Sequence, residues 1–469
     1  MSTEESTPNA VRLTGLVTGP ILAVAVFLLT HASLGREGAI VAGLLVLMAT
    51  WWLTIAVDLA VTALLPVLLL PLLGVGTFAR NAAPYAGDVI FLFGAGFVLS
   101  TALERSGLSR QFAGALLRLA GRSAPGAVAA LMVVTAAISG FVSNTATAAA
   151  MLPIGLAATL GIPADQTEGR RRFAAATVLG IAYAASIGGA LTIIGSPPNA
   201  VAAEYIREAT GEPISFARWM TFGAPLVVLL LPLAWLLLTR LIFPIGGLRL
   251  SAPQRVEREG DACGRRAILA IFLTTVAAWL TRPLWGASLP GLGDSGIALG
   301  GALLLLVSPR RLRPYTPLVS WSDLRDLPWG VLILFGGGLS LAEAIDRTGV
   351  AAALAQAAGP LAGAPLLIML LVLIAVACFA SEIASNTALA GVAMPIVGAI
   401  AVATGQPVER LAVATALGAS MAFMLPVGTP PNAMAYSTGH VRSGEMARAG
   451  LLLNVAAIAM LTLVMWLVP

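Results

Sequence analysis

Lysine is absent from this 469-residue chain, and histidine and cysteine occur only twice each. With His31 and His440 alone, and with Cys263 far from Cys378, neither zinc chemistry nor a thiolate metal site nor a disulfide framework follows. Charge of either sign is scarce: 10% of residues are charged against 58% hydrophobic, and the mean hydropathy is +0.92. A soluble domain of this length needs more polar surface, so lipid is the solvent for most of the chain. The alternation of a transmembrane β-barrel is missing, which excludes the outer-membrane class. No HExxH motif, intramembrane aspartate pair or serine–histidine pairing supports an enzyme, and the polar groups do not spread along the continuous path of a channel. No organic cofactor is expected. A net charge of +5 could suggest nucleic acid or acidic lipid, but the placement of the arginines gives a better account, as a report of topology and not of a nucleic-acid partner.

Apolar runs predict crossings near 14–31, 39–56, 59–77, 88–104, 173–205, 219–242, 267–285, 294–308, 329–346, 411–436 and 449–468. Two further apolar stretches, 124–160 and 364–403, remain to be placed. If these two do not cross and the N-terminus lies inside, 20 arginines are cytoplasmic and 7 external (Arg36, Arg80, Arg207, Arg218, Arg282, Arg347 and Arg410). That is a strong positive-inside bias. MSTEESTPNA lacks the basic start of a secretory signal, so residues 1–13 read as a retained cytoplasmic tail. The uncharged stretch 124–160 is flanked by arginines at both ends, Arg105 to Arg122 and Arg170 to Arg172. If both flanks are cytoplasmic, the chain must enter the membrane and return on the same side. The sparse charge around 364–403 fits a hairpin entering from outside. Non-helical backbone at membrane depth is tolerated only beside protein or a polar cavity, so the hairpin tips are expected to line a site.

The two stretches sit in an internal repeat. FGAGFVLSTALERSGL from Phe93 matches FGGGLSLAEAIDRTGV from Phe335, and SNTATAAAMLPI from Ser143 matches SNTALAGVAMPI from Ser385, both pairs 242 residues apart. GSPPNA from Gly195 matches GTPPNA from Gly428, 233 residues on. The expected fold is an all-α polytopic membrane protein of two inverted repeats, with about 11 transmembrane helices plus two re-entrant helical hairpins. The first half spans 14–242 and contains the inward-opening hairpin 124–160. A cytoplasmic Arg-rich linker, 243–266, leads to the second half, 267–469, which contains the outward-opening hairpin 364–403 and ends outside the membrane.

Both SNT triplets interrupt apolar stretches at the same place in each copy. A lone triplet of this kind is often packing glue, but its recurrence near both hairpin tips favours a site. The paired prolines of Gly195-Ser196-Pro197-Pro198-Asn199 and Gly428-Thr429-Pro430-Pro431-Asn432 remove backbone donors and break their helices, leaving free N–H and C=O groups at membrane depth. The hairpins contain no arginine, lysine or histidine, so a dianion needs positive charge from elsewhere. Hydroxyls and carbonyls suit a small alkali cation, while helix N-termini suit carboxylates. The residues therefore point to cation-coupled anion carriage. Glu382 is the only charge in either hairpin; its counterpart is Gly140, which favours a structural role over a proton relay or cation ligand. The glycines at 94, 96 and 336–338 read as helix-packing positions, and Trp51, Trp52, Trp219, Trp321 and Trp329 as interfacial anchors.

The paired SNT triplets and G-[ST]-P-P-N loops resemble those of the divalent anion/sodium symporter family, over nearly the whole chain. The resemblance implies a homodimer in the bacterial inner membrane, with a scaffold and a mobile transport part moving elevator-fashion. It implies sodium-coupled symport of C4-dicarboxylates such as succinate, fumarate or malate. Sodium-independent exchange, or carriage of citrate or sulfate, are the alternatives within the family. By motif position, a first sodium site would comprise Ser139, Ser143, Asn144 and Gly195, and a second Ser381, Ala384, Asn386 and Gly428. Carboxylate contacts would come from Asn144, Thr145, Ser196, Ser385, Asn386, Thr387 and Thr429, with Pro197 and Pro430 beside them. Ser381 stands where some members have threonine, which keeps the hydroxyl.

Single cysteines placed at Arg122 and Arg170 should both react with an impermeant thiol reagent only from the cytoplasmic side. Labelling of the two from opposite sides would turn the first hairpin into a crossing.

Overall fold

The computed structural model describes residues 9–163, 166–250, 262–289, 291–312, 315–361 and 363–468. Among these, eight helices are long and apolar enough to cross a bilayer, and Leu59–Leu72, Ala124–Ser139, Asp294–Val307 and Leu366–Ala380 are shorter apolar helices. Asn9–Thr54 is two helices joined at Gly35, whose φ of 70° suits a residue without Cβ. Its arms lie antiparallel, because Gly15 meets Thr54, Gly19 meets Trp51 and Gly43 meets the Ala23 carbonyl. The expected tail 1–13 is thus helical from Asn9, and residues 1–8 lie outside the described ones.

Of the linker expected over 243–266, residues 251–261, with Arg255 and Arg258, lie outside the described ones, and Ala262 already begins the next helix. The start of the linker is packed down. Phe243, Ile245 and Leu250 are buried, Ser123 pairs with Arg249 in a β-bridge, and Leu250 N donates to Arg122 O at 2.9 Å. These apolar residues find cover at the base of the first hairpin, so the boundary differs from the one drawn by charge alone.

That hairpin consists of Ala124–Ser139 and Asn144–Ala158, with Thr167–Gly189 beside both arms. Gly188 and Gly189 abut Ala136 and Asn144, near the turn. Farther from it, Gly180 abuts Val128 and Met132, and Gly155 of the returning arm abuts Thr177 and Ile181. Both arms therefore lead back to the same end of Thr167–Gly189. In the second hairpin, Leu366–Ala380 and Asn386–Thr404 both pack on Val408–Ala419, and Cys378 Sγ near the turn donates to Met421 O at 2.9 Å.

Two spans are interrupted. Thr167–Gly189 resumes as Pro197–Thr210, and Val408–Ala419 resumes as Pro430–Ser437. The pieces pair crosswise: Pro197–Thr210 lies along Val408–Ala419, and Pro430–Ser437 along Thr167–Gly189. The Ser196 and Ser420 hydroxyls sit 3.4 Å apart where the breaks meet. The broken spans thus run antiparallel about a common centre, which is the arrangement two oppositely oriented copies produce.

Each half closes with a long helix, Phe216–Leu236 or Ser443–Leu467. Each presents a glycine to a break: a Cβ on Gly223 would lie 2.3 Å from Ala190 O, and one on Gly450 would lie 2.2 Å from Phe423 O. Each is also tied by an ion pair to a broken span, Arg218 to Glu409 at 2.7 Å and Arg171 to Glu445 at 2.9 Å. Trp219 and Trp52 are buried and do not serve as interfacial anchors; Trp219 Nε1 donates to Ala190 O at 3.2 Å, inside the first break. Trp321 and Trp329 are exposed.

Gly450→Val should push the second break away from its closing helix and destabilise the protein by about 1–3 kcal/mol, the usual cost of overpacking. A melting temperature unchanged from wild type in detergent would show that the contact is not tight.

Candidate functional site

Both hairpin turns and both breaks open on one cavity of about 700 Å³. Its polar wall carries Ser143, Asn144 and Thr145 from the first turn and Gly195, Ser196 and Pro197 from the first break. The second copy adds Ala384, Ser385, Asn386 and Thr387, then Gly428, Thr429 and Pro430. Ser139 and Ser381, placed in the same site by motif position, lie behind this wall, fully buried. The opposite wall is apolar, including Leu53, Phe93, Phe97 and Val331. Among the described lining residues there is no arginine and no histidine.

Positive potential comes from the backbone instead. Asn144, Pro197, Asn386 and Pro430 are the first residues of four helices, and Ser143, Ser196, Ser385 and Thr429 are their N-caps. Ser385 Oγ accepts from Ala388 N and Thr429 Oγ from Asn432 N, as hydroxyl caps do. The triplets and proline loops are thus helix-start signals: a capping hydroxyl, then Asn or Pro at the first helical position. Four N-termini, each equivalent to about half a positive charge, face one cavity, a total of about two charges. Thr145 and Thr387, one residue further into their helices, add hydroxyls to the same wall.

The other helix ends do the reverse. Ala124–Ser139, Thr167–Gly189, Leu366–Ala380 and Val408–Ala419 end at the turns and breaks, with carbonyl groups left over. Around Asn144 these oxygens crowd together. With its amide oxygen inward, Oδ1 is 2.6 Å from Ser139 Oγ, which itself donates to Ala185 O at 2.7 Å. Oδ1 then faces only acceptors among the neighbouring carbonyls. With the amide turned, Nδ2 donates to Ala185 O at 3.0 Å and Gly195 O at 3.2 Å. Oxygen inward, the single hydrogen of Ser139 Oγ serves Asn144 Oδ1 and Ala185 O together, which leaves an oxygen-rich cluster suited to a cation; nitrogen inward, the amide donates to that cluster itself. In the second copy Asn386 Oδ1 is buried without a hydrogen-bond partner, and Ser381 Oγ donates to Cys378 O at 2.8 Å.

Several residues that hold these groups were not singled out by the sequence. Asn199 Nδ2 bridges Gly189 O and Thr192 O, both at 2.8 Å, and Asn432 Nδ2 bridges Ala422 O at 3.1 Å and Leu425 O at 3.2 Å. The last residue of each PPN run therefore fastens its own break, and its place in a duplicated motif was the available signal. Asn454, the one polar side chain in LLLNVAAIAM, donates to Glu382 at 2.7 Å. Ala185 contributes a carbonyl, which no residue type announces. Glu382 accepts from Phe423 N, Met424 N and Leu425 N within the second break.

Residues 45–418 match the citrate transporter family. The sodium-dependent dicarboxylate transporter SdcS of Staphylococcus saprophyticus is 36% identical over 99% of this chain and 93% of its own. The protein of the same name from Staphylococcus aureus is 35% identical over 98% and 92%. Among solved structures, the YdaH transporter of Alcanivorax borkumensis superposes with a TM-score of 0.57 at 16% identity, covering 82% of this chain and 86% of that one, a likeness of fold.

Proposed function

We propose that this chain, which belongs to the divalent anion/sodium symporter family, carries a small dianionic carboxylate together with sodium across the membrane. The chain is a multi-pass membrane transporter and not an enzyme. What remains is its cargo and the way it moves. One observation carries the reading: four helix N-termini face a single cavity whose described lining residues include no arginine and no histidine. Their positive ends face the two carboxylates, while the four helix C-termini at the same turns and breaks offset part of that potential. It cannot alone replace the water stripped from two carboxylates, so cations bound beside them complete the balance. The relatives named as sodium-dependent dicarboxylate transporters support the same pairing.

In this reading the first sodium is held by Ser139, Ser143, Asn144 and Gly195, with the Ala185 carbonyl added by the geometry. The second is held by Ser381, Ala384, Asn386 and Gly428. Asn144 stands at the start of a helix and beside a carbonyl cluster at once, and Asn386 starts its helix with a buried Oδ1 that has no hydrogen-bond partner. Each turns its oxygen to sodium and its N–H groups to carboxylate, which makes occupancy by one favour the other. Thr145, Ser196, Ser385, Thr387 and Thr429 donate hydroxyl hydrogens to the carboxylate, and Pro197 and Pro430 shape the wall beside it. A C4-dicarboxylate such as succinate, fumarate or malate places one carboxylate at each copy's pair of N-termini.

The cavity has a polar wall made by hairpins and broken spans, and an apolar wall made by Leu53, Phe93, Phe97 and Val331. A polar body sliding against an apolar one can expose the site to either side without breaking polar contacts, and this supports an elevator movement. The arginine asymmetry supports an inner-membrane location with a cytoplasmic N-terminus and an external C-terminus. The homodimer remains part of the same proposal, on the family resemblance.

In proteoliposomes, labelled succinate should accumulate under an inward sodium gradient and not under a potassium gradient. Equal rates under both would replace symport by exchange. Asn144→Ala and Asn386→Ala should each reduce uptake at least tenfold, since each leaves a desolvated cluster short of a ligand, at roughly 1–3 kcal/mol. Wild-type uptake in either variant would place the site elsewhere.

A further inference from the structure

The two half-sites are built alike but are not electrically alike. Where the first hairpin turn has Gly140, the second has Glu382, only 3% exposed. Its Oε1 accepts from Phe423 N at 2.8 Å, Met424 N at 2.9 Å and Asn454 Nδ2 at 2.7 Å, and its Oε2 accepts from Leu425 N at 2.9 Å. Four donors in so tight an arrangement hold a carboxylate in place, and three are consecutive main-chain N–H groups of the second break. No arginine pairs with it among the described residues. Its Oε2 also lies against Gly428, where a Cβ would approach to 3.0 Å.

The first break is held by neutral groups alone. Asn199 bridges Gly189 O and Thr192 O, and the Thr192 hydroxyl donates to Gly140 O. Asn454 has no polar counterpart either: its position in the closing helix of the first half is taken by Val227, counting from the matched glycines Gly223 and Gly450. The carboxylate and the amide that orients it were thus installed together, in one copy only. A loop can be fastened with neutral groups, as the first copy shows. A charge adds what neutral groups cannot, a fixed negative potential beside a cluster of oxygens in a medium that screens it little.

We propose that Glu382 is a positioning residue that makes the second half-site the tighter of the two for sodium, by fixing residues 423–425 and by setting its carboxylate beside Gly428. This rests on the sodium reading given above. Asn454 orients the carboxylate and so acts one step further out.

The test is thermal unfolding of the purified full-length protein in detergent across a sodium chloride series, with potassium keeping ionic strength constant. Only a ligand that prefers the folded state raises the melting temperature, so the sodium concentration giving half the maximal rise reads binding without transport. In Ser139→Ala, which removes a ligand of the first half-site, the remaining sodium-dependent rise reports the second. Adding Glu382→Gln should raise the half-maximal sodium concentration at least about tenfold, the scale on which residues supporting a metal ligand act. A value within about twofold of that in Ser139→Ala, with the protein folded, would overturn the assignment and leave Glu382 a purely structural fastening. No sodium-specific stabilisation of the wild type would overturn the sodium reading itself, and this inference with it. If the Glu382→Gln chain does not assemble, Asn454→Leu is measured instead, since it removes one donor and keeps the charge. Set on Ser139→Ala, it should raise the half-maximal sodium concentration at least about threefold by freeing the carboxylate from its place beside Gly428, whereas a lower melting temperature with that concentration within about twofold of Ser139→Ala would overturn the assignment and leave Glu382 a structural fastening.

Discussion

Main-chain groups that are not paired within a helix have to find partners before they can lie at membrane depth, and the centre of this protein is organised by that requirement. Two turns and two breaks leave eight helix ends there. A single uninterrupted helix would leave none. The protein meets the cost in two ways. Part of each set of ends is fastened internally, by Asn199 in the first copy and by Asn432 and Glu382 in the second. The rest is turned toward one cavity, where ligands of opposite sign can complete it. N–H groups without partners call for an anion, and carbonyls without partners call for a cation. The selectivity of the site thus begins as an accounting problem of the main chain.

Bringing eight ends together demands close packing, and the glycines supply it where it is tightest. Gly223 and Gly450 admit the two breaks against the closing helices, and Gly188 lets Thr167–Gly189 touch the main chain of the first hairpin at Ala136. Around these contacts the core is alanine-rich: Ala174, Ala175, Ala176, Ala182, Ala184 and Ala185 are all buried in the one helix. Small side chains give up dispersion contacts individually, but they let helices approach until polar main-chain groups of neighbouring segments meet. Glu382 apart, charged side chains fasten this packing as ion pairs. Arg171 with Glu445 and Arg218 with Glu409 tie closing helices to broken spans. The basic partner is on the broken span in one pair and on the closing helix in the other.

Much of this was legible in the sequence because duplication marks what matters. One SNT triplet or one PPN run is ambiguous; two of each, in the same order, locate the turns and breaks. What escaped has physical reasons. Ala185 acts through a carbonyl, and every residue has one. Trp219 carries the same side chain as an interfacial tryptophan, and only packing reveals that its N–H is spent on Ala190 O inside the first break. The linker was drawn by its arginines, yet Phe243, Ile245 and Leu250 are covered by the hairpin base, so charge did not mark its extent. Asn454 is an isolated polar residue in a long apolar helix, and its meaning depends on Glu382, 72 residues earlier in the chain.

On the symport reading proposed above, coupling between ion and acid follows from where Asn144 stands. The side chain of Asn144 has one oxygen and one NH₂ on a planar amide, and it sits between a cluster of oxygens and the mouth of a helix N-terminus. If the oxygen faces the cluster, a cation is needed there and the N–H groups are free for an acid. If the nitrogen faces the cluster, it bonds to Ala185 O and Gly195 O, and the donors an acid would use are consumed. The two ligands therefore do not merely attract each other across the site. Each stabilises the amide orientation that the other requires, and the energy difference between orientations is the coupling between them. A rigid hydroxyl or carbonyl in the same place could bind sodium but could not transmit that fact. An asparagine can, because a single rotation exchanges an acceptor for donors.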